Sequence, residues 1–545
     1  MKIAILSNVN LDILIKTLSK KHEVYQTEGY GQWVSYALSK NEELTEFAPE
    51  IIFVLIDGNA LLETVNSYED GVREIIQSIN IIKSMSQQYS NSQIAVSTID
   101  IQKKRVKSAS NIGFECLLEN EWQKQLTELI DSSNNILPFD LKELIANEGR
   151  SNFYADNMWY MGSIPYGIKA ISKLSEQLEI FIKEYSQTRK KVLVCDLDNT
   201  LWGGVVGEDG PKGIKLGESL LGAAYRDAQK RIKEIADTGV LLAIVSKNNQ
   251  EDVDAAFANN PYMYLKKKDF ISIKCNWQPK SENISNLAKE LNLGLDSFVF
   301  LDDNPVEREE VKLRLPDVNI ADFPKDVANL PKTISNIYNQ YFWCKKLTAE
   351  DLAKTEQYRQ ETLRKQDLAA ASSLEEYLLS LNISIKLGEA KQDQFDRVVQ
   401  LLNKTNQFNT NTRRFNQQEF LEYQANSSNH VFVANVSDRY GDNGLVVILM
   451  IHCNGSEALI DNFLMSCRVM GRQIENAVIA AVENKLYESN ITILHANYIK
   501  TAKNKPVEEL YDRLGFEAID FDENSKNYCL KLTGDSGSLL KVEWI

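Results

Sequence analysis

Histidine is scarce in this chain. There are four in 545 residues (His22, His430, His452 and His495), and none lies between His22 and His430. A serine without a base is a poor nucleophile, so hydrolysis by a Ser–His pair has little raw material over most of the length. The seven cysteines (Cys116, Cys195, Cys275, Cys344, Cys453, Cys467, Cys529) are scattered, odd in number and never spaced as CxxC. That favours reduced thiols in a cytoplasm over a disulfide framework or zinc site. No apolar run approaches the roughly 20 residues of a membrane helix. Lys and Arg number 61 against 76 Asp and Glu, a net charge of −15. A general nucleic-acid binder would need a basic face, so neither nucleic acid nor membrane is expected as a partner. Internal repeats and low-complexity segments are also missing. The opening MKIAILSNVNLDILIK is broken by Asn8, Asn10 and Asp12 and reads as a first strand and turn, not a signal peptide.

What is present suits a multi-domain α/β protein. Hydrophobic residues make up 43%, enough for full cores, and the length allows several domains. Residues 1–185 alternate strand-like runs (Lys2–Leu6, Ile51–Ile56, Gln93–Ser97) with helical spacing at Asn10–Lys20, Tyr68–Gln88 and Ile168–Tyr185. Residues 186–335 hold the most informative stretch, KVLVCDLDNTLWGGVVGEDG at Lys191–Gly210. A buried strand there ends in Asp196-Leu197-Asp198. Ligands bind beyond the carboxyl ends of such strands. Two carboxylates placed together repel, and a divalent cation relieves that. Val205–Gly210 reads as a short hairpin with an Asp-Gly turn. Ser219–Thr238 is helical. Val240–Val245 is a strand ending at Ser246, Lys280 precedes the helix Ser281–Leu291, and the strand Phe298–Leu301 ends in Asp302-Asp303.

Each of these groups has a task in phosphoryl chemistry. One aspartate attacks phosphorus and a second exchanges the proton. The distal acidic pair completes an oxygen site for Mg²⁺. A serine and a lysine hold phosphoryl oxygens. The ordered set resembles the haloacid dehalogenase (HAD) superfamily. On that resemblance Asp196 is the nucleophile, Asp198 the acid/base, Ser246 and Lys280 the phosphate ligands, and Asp196, Asp198, Asp302 and Asp303 the metal motif. Asp303 is the expected direct ligand, with Asp302 orienting it or Lys280. Cys195 is either a buried core thiol or an acyl carrier; adjacent strand residues face opposite ways, which favours the core.

DLDNTLWGGVVGEDG, SKNN, Asp269-Phe270 and FLDDNPVERE together resemble the FkbH-like branch of that superfamily. The resemblance implies a Mg²⁺-dependent enzyme that takes a phosphoglyceryl donor of the 1,3-bisphosphoglycerate type. Phosphate is released and the glyceryl group passes to an acyl-carrier-protein thiol. A plain HAD phosphatase on a small or sugar phosphate, and a non-catalytic carrier-recruiting module, are the rival readings.

The flanking segments resemble other families. Ser7, after the first strand, and Gly58-Asn59, after the next strong one, resemble SGNH-type hydrolases on a flavodoxin-like parallel sheet. The family's Asp-x-x-His is replaced by Asp156-Asn157-Met158-Trp159, so a degenerate domain without hydrolase activity is expected, and the alternative is that Ser7 and Asn59 are turn residues. Residues 336–380 read as a helical linker over Leu347–Leu368 and beyond. Residues 381–545 resemble the GNAT acyltransferase fold, an α+β domain. There Arg468, Gly471, Arg472 and Gln473 lie between a strand and a helix, the geometry that binds pyrophosphate. Tyr511 matches the tyrosine that protonates a leaving thiolate, and CoA or a phosphopantetheine thiol is the implied acyl carrier. Gln473 stands where a small residue is usual. The amide-rich Asn403–Phe415 is either a polar binding loop or a solvated turn.

Overall fold

The computed structural model describes the chain except residues 26, 28–30, 39–40, 103–112, 348–355, 359, 362, 365–366 and 369–370. The expected linker helix Leu347–Leu368 falls largely outside the described residues. The chain forms two compact units, Met1–Arg189 with Asn336–Leu347, and Lys190–Ser335 with Thr348–Ile545.

The first unit is built on five parallel strands: β1 (Lys2–Ser7), β2 (Glu23–Tyr25), β3 (Ile51–Leu55), β4 (Gln93–Ser97) and β5 (Ile136–Phe139), in the order β2-β1-β3-β4-β5. β3 and β4 are buried at every position, because helices cover both faces of the sheet. Ile52, Val54, Ile94 and Val96 pack with the helix Tyr68–Gln88, and Ile51, Phe53 and Ala95 with the helix Ile168–Ser186. The edge strand β5 contains Pro138, a residue a central strand does not tolerate.

The second unit holds two sheets. One is fully parallel: β6 (Val192–Cys195), β7 (Leu241–Ser246), β8 (Phe270–Cys275), β9 (Phe298–Leu301) and β10 (Asn319–Ile320), ordered β10-β9-β6-β7-β8. Val192, Val194, Ala243, Val245, Phe298 and Phe300 form one face, closed by Ile284 and Leu287 of the helix Lys280–Leu291. The chain leaves β6 towards β7 and returns to β9 on the other side, so a switch point lies between β6 and β9. Cys195 pairs with Leu301, which sets Asp196 beside Asp302.

The other sheet is mixed: β11 (Ser384–Glu389), β12 (Asn429–Asp438), β13 (Gly441–Asn454), β14 (Glu457–Met465), β15 (Ile493–Ile499), β16 (Glu517–Phe521), β17 (Ser525–Lys531) and β18 (Val542–Trp544), ordered β16-β17-β15-β14-β13-β12-β11-β18. β14 and β15 run parallel but pair only from Glu457↔Ile493 to Ile460↔Ala496. Beyond that they part, and Phe408–Thr410 fills the gap. Thr410 N–H donates to Phe463 O (3.0 Å), Met465 N–H to Phe408 O (3.0 Å) and Ile499 N–H to Thr410 O (2.8 Å). No helix among the described residues is long and apolar enough to cross a membrane.

Candidate active site at the end of the second sheet

β6, β7 and β9 deliver Asp196, Ser246 and Asp302 to one sheet edge, and the first residue of the helix Lys280–Leu291 delivers the lysine. All four side chains are buried. Lys280 Nζ donates to Asp302 Oδ2 (2.5 Å) and lies 3.0 Å from Asp196 Oδ1. That second contact is an ion pair, and Asp196 Oδ1 is buried with no other donor. Burial alone would lower the Lys280 pKa; the charges of Asp196 and Asp302 outweigh it, and the ammonium keeps its proton.

Oxygens of Asp196, Asp302 and Asp303 all lie within 4.8 Å of one another. Burial, then the charge of Asp196, pushes both Asp302 and Asp303 upward, Asp302 to about 6 against the opposing pull of Lys280. Three carboxylates facing one ammonium leave an excess of two negative charges, which a divalent cation balances. The fit is sharper by residue. Both Asp302 oxygens are engaged, Oδ2 by Lys280 and Oδ1 by Asn304 N–H (2.8 Å), so Asp302 holds the lysine. Asp196 offers Oδ1, which has no donor besides Lys280. Asp303 is half-buried, with Oδ1 taking only a long bond from Thr200 Oγ1 (3.3 Å).

Asp198 lies outside that carboxylate group, although the sequence placed it among the metal ligands. Its Oδ1 accepts from Trp202 Nε1 (2.9 Å) and Val206 N–H (3.0 Å), and its Oδ2 from Asn248 Nδ2 (3.0 Å). Three N–H donors fix the orientation of its carboxylate. Val206 opens the helical stretch Val206–Gly213, which is kinked at Gly210 (φ 70°), where the sequence predicts a hairpin. Glu208 and Asp209 in the first turn favour a helix N-terminus, and Asp209 Oδ2 accepts the Val205 N–H (2.9 Å).

Sequence reasoning missed four supports. Asn248 Nδ2 also lies 3.1 Å from Ser246 Oγ and so ties that serine to Asp198. Trp202 is fully buried against Asp198. Thr200 Oγ1 accepts the Asp303 N–H (3.1 Å), and Arg308 Nη1 donates to the carbonyls of Asp302 (2.6 Å) and Asp303 (2.9 Å). Only Asn248, two residues past Ser246 at a strand end, carried a usable signal. Cys195 is fully buried, and burial, then Asp196, pushes its thiol far up. It is a core thiol.

The other predicted sites are differently arranged. Ser7 Oγ donates to Leu55 O (2.7 Å) and accepts from Val9 N–H (3.2 Å), so the hydroxyl serves its own turn. Asn59 Oδ1 accepts from Gln102 N–H (2.7 Å). Beside them Asp57 caps the helix Gly58–Leu61, accepts from Tyr166 OH at 3.4 Å, and is pushed up to about 6 by burial.

In the mixed sheet, Arg472 is not an open anion ligand. It is buried, with Nη1 on Asp438 Oδ2 (2.9 Å) and Nη2 on Glu361 Oε2 (2.8 Å). Arg468 donates to Gln357 Oε1 (2.8 Å) and Ser466 Oγ (3.2 Å). Gly471 and Gln473 both take positive φ (78° and 54°), so the turn accepts a glutamine where a small residue was expected. Tyr511 is buried against Phe516 and Tyr528, and its hydroxyl faces Thr410 Oγ1 at 3.4 Å. Burial holds that phenol far above its usual range. Tyr511 is therefore a core residue behind the Phe408–Thr410 insert rather than an acid facing a thiolate. The amides of Asn403–Phe415 hold the loop itself: Asn403 Nδ2 donates to Phe415 O (2.7 Å) and Asn411 Nδ2 to Asp461 O (2.8 Å). His452 and His495 are satisfied by Asn429 (2.6 Å) and Glu457 (3.2 Å).

No protein-family model matches the chain. It is 22% identical over 196 residues to enolase-phosphatase E1 of Aquifex aeolicus, spanning 34% of this chain and 84% of the relative. Its structure resembles that of the N-terminal part of protein BF1531 from Bacteroides fragilis, which contains a phosphatase domain and was solved with Mg. That match has a TM-score of 0.54 and 23% identity, over 64% of this chain and 94% of the other. A looser likeness, with TM-score 0.23 and 11% identity over 27% of this chain and 94% of the other, runs to the ribosomal-protein-S18-alanine N-acetyltransferase of Escherichia coli. The chain thus shares the fold of that phosphatase-domain structure, and the Asp196 cluster stands at the strand ends of its parallel sheet.

Proposed function

We propose that this protein is a Mg²⁺-dependent HAD-type phosphohydrolase acting on a phosphorylated small molecule. One observation carries the reading: Asp196, Asp198, Ser246, Lys280, Asp302 and Asp303, dispersed over the sequence, meet at one switch point in complementary roles. Asp196 attacks phosphorus, the bond from phosphorus to the leaving oxygen breaks, and that oxygen takes a proton from Asp198. Water then gives a proton to Asp198 and attacks the aspartyl phosphate, freeing Asp196 and inorganic phosphate. Ser246 and Lys280 hold the phosphoryl oxygens in both halves. Asp196 and Asp303 would hold Mg²⁺, with Asp302 holding Lys280 beside them, and the ion would supply charge neutralisation for the transferring group.

The finer reading follows the FkbH-like resemblance. The substrate is a phosphoglyceryl donor and the acceptor an acyl-carrier-protein thiol, on phosphopantetheine or CoA. A thiolate attacks the acyl carbon and expels the first phosphate, and the remaining phosphomonoester is cleaved at Asp196. Free cysteines throughout fit a cytoplasmic setting. The plain phosphatase is the second reading. It is favoured by the buried Arg472 and Tyr511, which leave the mixed sheet without an exposed acyl-transfer group at the predicted positions.

The test is incubation with Mg²⁺, 1,3-bisphosphoglycerate and holo-carrier proteins, following phosphate release and intact carrier mass. Phosphate with a glyceryl mass gain supports transfer; phosphate alone supports the phosphatase. Asp196→Asn is expected to remove phosphate release by a factor of about 10³ or more. Undiminished release by that variant would sink the nucleophile assignment. No esterase turnover dependent on Ser7 is expected.

A further inference from the structure

Three side chains of one turn after β7 reach three other loops of the candidate site. Asn248 reaches Asp198 beyond β6, and Asn249 Oδ1 accepts from Trp277 Nε1 (3.2 Å) in the loop between β8 and Lys280. Lys247 Nζ donates to Glu307 Oε1 (2.6 Å), in the first turn of the helix Pro305–Arg314 that follows β9. This last link spans the Asp196 strand. Ile244 of β7 and Leu301 of β9 both pair with Cys195, one from each side. Neighbouring strands lie about 4.8 Å apart, so β7 and β9 are separated by roughly 10 Å, and the ion pair joins the loops that leave them. Glu307 keeps only 15% of its side chain exposed, and its Oε2 is buried with no donor among the described residues. Stability alone does not favour that arrangement, because an apolar pair would leave no carboxylate oxygen unsatisfied.

Arg308, the next residue, donates to the carbonyls of Asp302 (2.6 Å) and Asp303 (2.9 Å). The loop after β9 is thus held to itself by Arg308 and held to the Ser246 turn by Glu307. Ligands bound on two loops help one another only while the loops keep their spacing, so a link that fixes the spacing carries the coupling. We infer that Lys247 and Glu307 are positioning residues: their ion pair sets Asp303, on the metal-binding side of the centre, against Ser246, on the phosphate-binding side, and makes Mg²⁺ and phosphate bind cooperatively. The inference rests on the phosphohydrolase reading, which assigns those two sides. The pair itself is neutral and touches neither ligand; it acts through the loops it joins.

The test uses the full chain with inorganic phosphate as the probe, titrated calorimetrically in EDTA and at saturating Mg²⁺. Mg²⁺ is expected to tighten phosphate binding by roughly 5–150-fold in the wild type. Glu307→Gln should cut that ratio by about threefold or more and leave binding in EDTA within about twofold. The charge swap Lys247→Glu/Glu307→Lys should recover most of the ratio. Glu309→Gln, which breaks an exposed ion pair with Lys312 (3.9 Å) on the same helix, should keep it in full. Lys247→Met/Glu307→Leu, which removes the pair without stranding a charge, should melt no lower than the wild type and still lose the coupling. A wild-type ratio kept by Glu307→Gln, or a charge swap that recovers nothing, would overturn this inference alone. Phosphate binding in the wild type that ignores Mg²⁺ would sink the phosphohydrolase reading and this inference together.

Discussion

Two buried polar side chains show how single residues carry the physics. Asn248 spans from Asp198 to Ser246, so one amide sets both the group proposed to exchange the proton and the serine proposed to hold phosphate. It is a positioning residue. Asn248→Ala should lower kcat by roughly 10–100-fold with little change in KM and displace the acidic limb of the pH profile. An unchanged pH profile would make Asn248 merely structural. Asp57 is the second case. Burial raises its carboxyl from 3.8 to about 6. Between those values the folded chain holds the extra proton, so stability falls as pH rises. The full cost of about 3 kcal/mol is present above pH 6 and absent below about pH 4. Asp57→Asn keeps an acceptor for the Ala60 N–H cap (2.8 Å) and removes the charge. Urea unfolding should show that variant more stable by up to about 3 kcal/mol near pH 7.5, and equal to the wild type near pH 4.

At the scale of elements, the helix Val206–Gly213 matters most, because its first amide holds Asp198. Gly204 sets its approach with φ +92°, and a Cβ there would lie 2.2 Å from Asp209 Oδ2. Gly204→Ala is expected to cost about 1–3 kcal/mol and to reduce turnover together with stability. Melting temperature and kcat measured on one preparation check both. The chain does turn at Gly210, as Asp209-Gly210 signals locally, but helical turns flank it in place of strands, and the acceptor that fixes the first amide, Asp198, is part of the site. The strands ending at Cys195, Ser246 and Leu301 were legible because a doubly covered parallel strand is a continuous apolar run. β2, β5, β10 and β18 were not: edge strands are short or polar, and their identity rests on a neighbour.

Across the whole molecule, the acidic cluster belongs to the second unit, and among the described residues it is the one group of three such side chains that could hold a metal. Mg²⁺ at a hundred times its dissociation constant should stabilise that unit by about 2.7 kcal/mol and leave the first unit unchanged. Hydrogen exchange reads the two separately, through the amides of β6 and β9 against those of β1 and β3. Equal protection of both by Mg²⁺ would contradict the placement of the site.

The amino-acid sequence alone determined the parallel sheets, the strand-end positions of Asp196, Ser246, Asp302 and the helix-start position of Lys280. Apolar runs and the residues that end them are local properties of the chain. Tertiary structure decided which carboxylates lie close enough to hold one cation together, because that depends on distances between separate strand ends: Asp198 is turned to three N–H donors while Asp303 lies with Asp196 and Asp302. It also decided the fate of Arg472 and Tyr511. Motif spacing could place them beside a strand and a helix, but only packing shows that Asp438 and Glu361 neutralise the one and that Phe408–Thr410 covers the other.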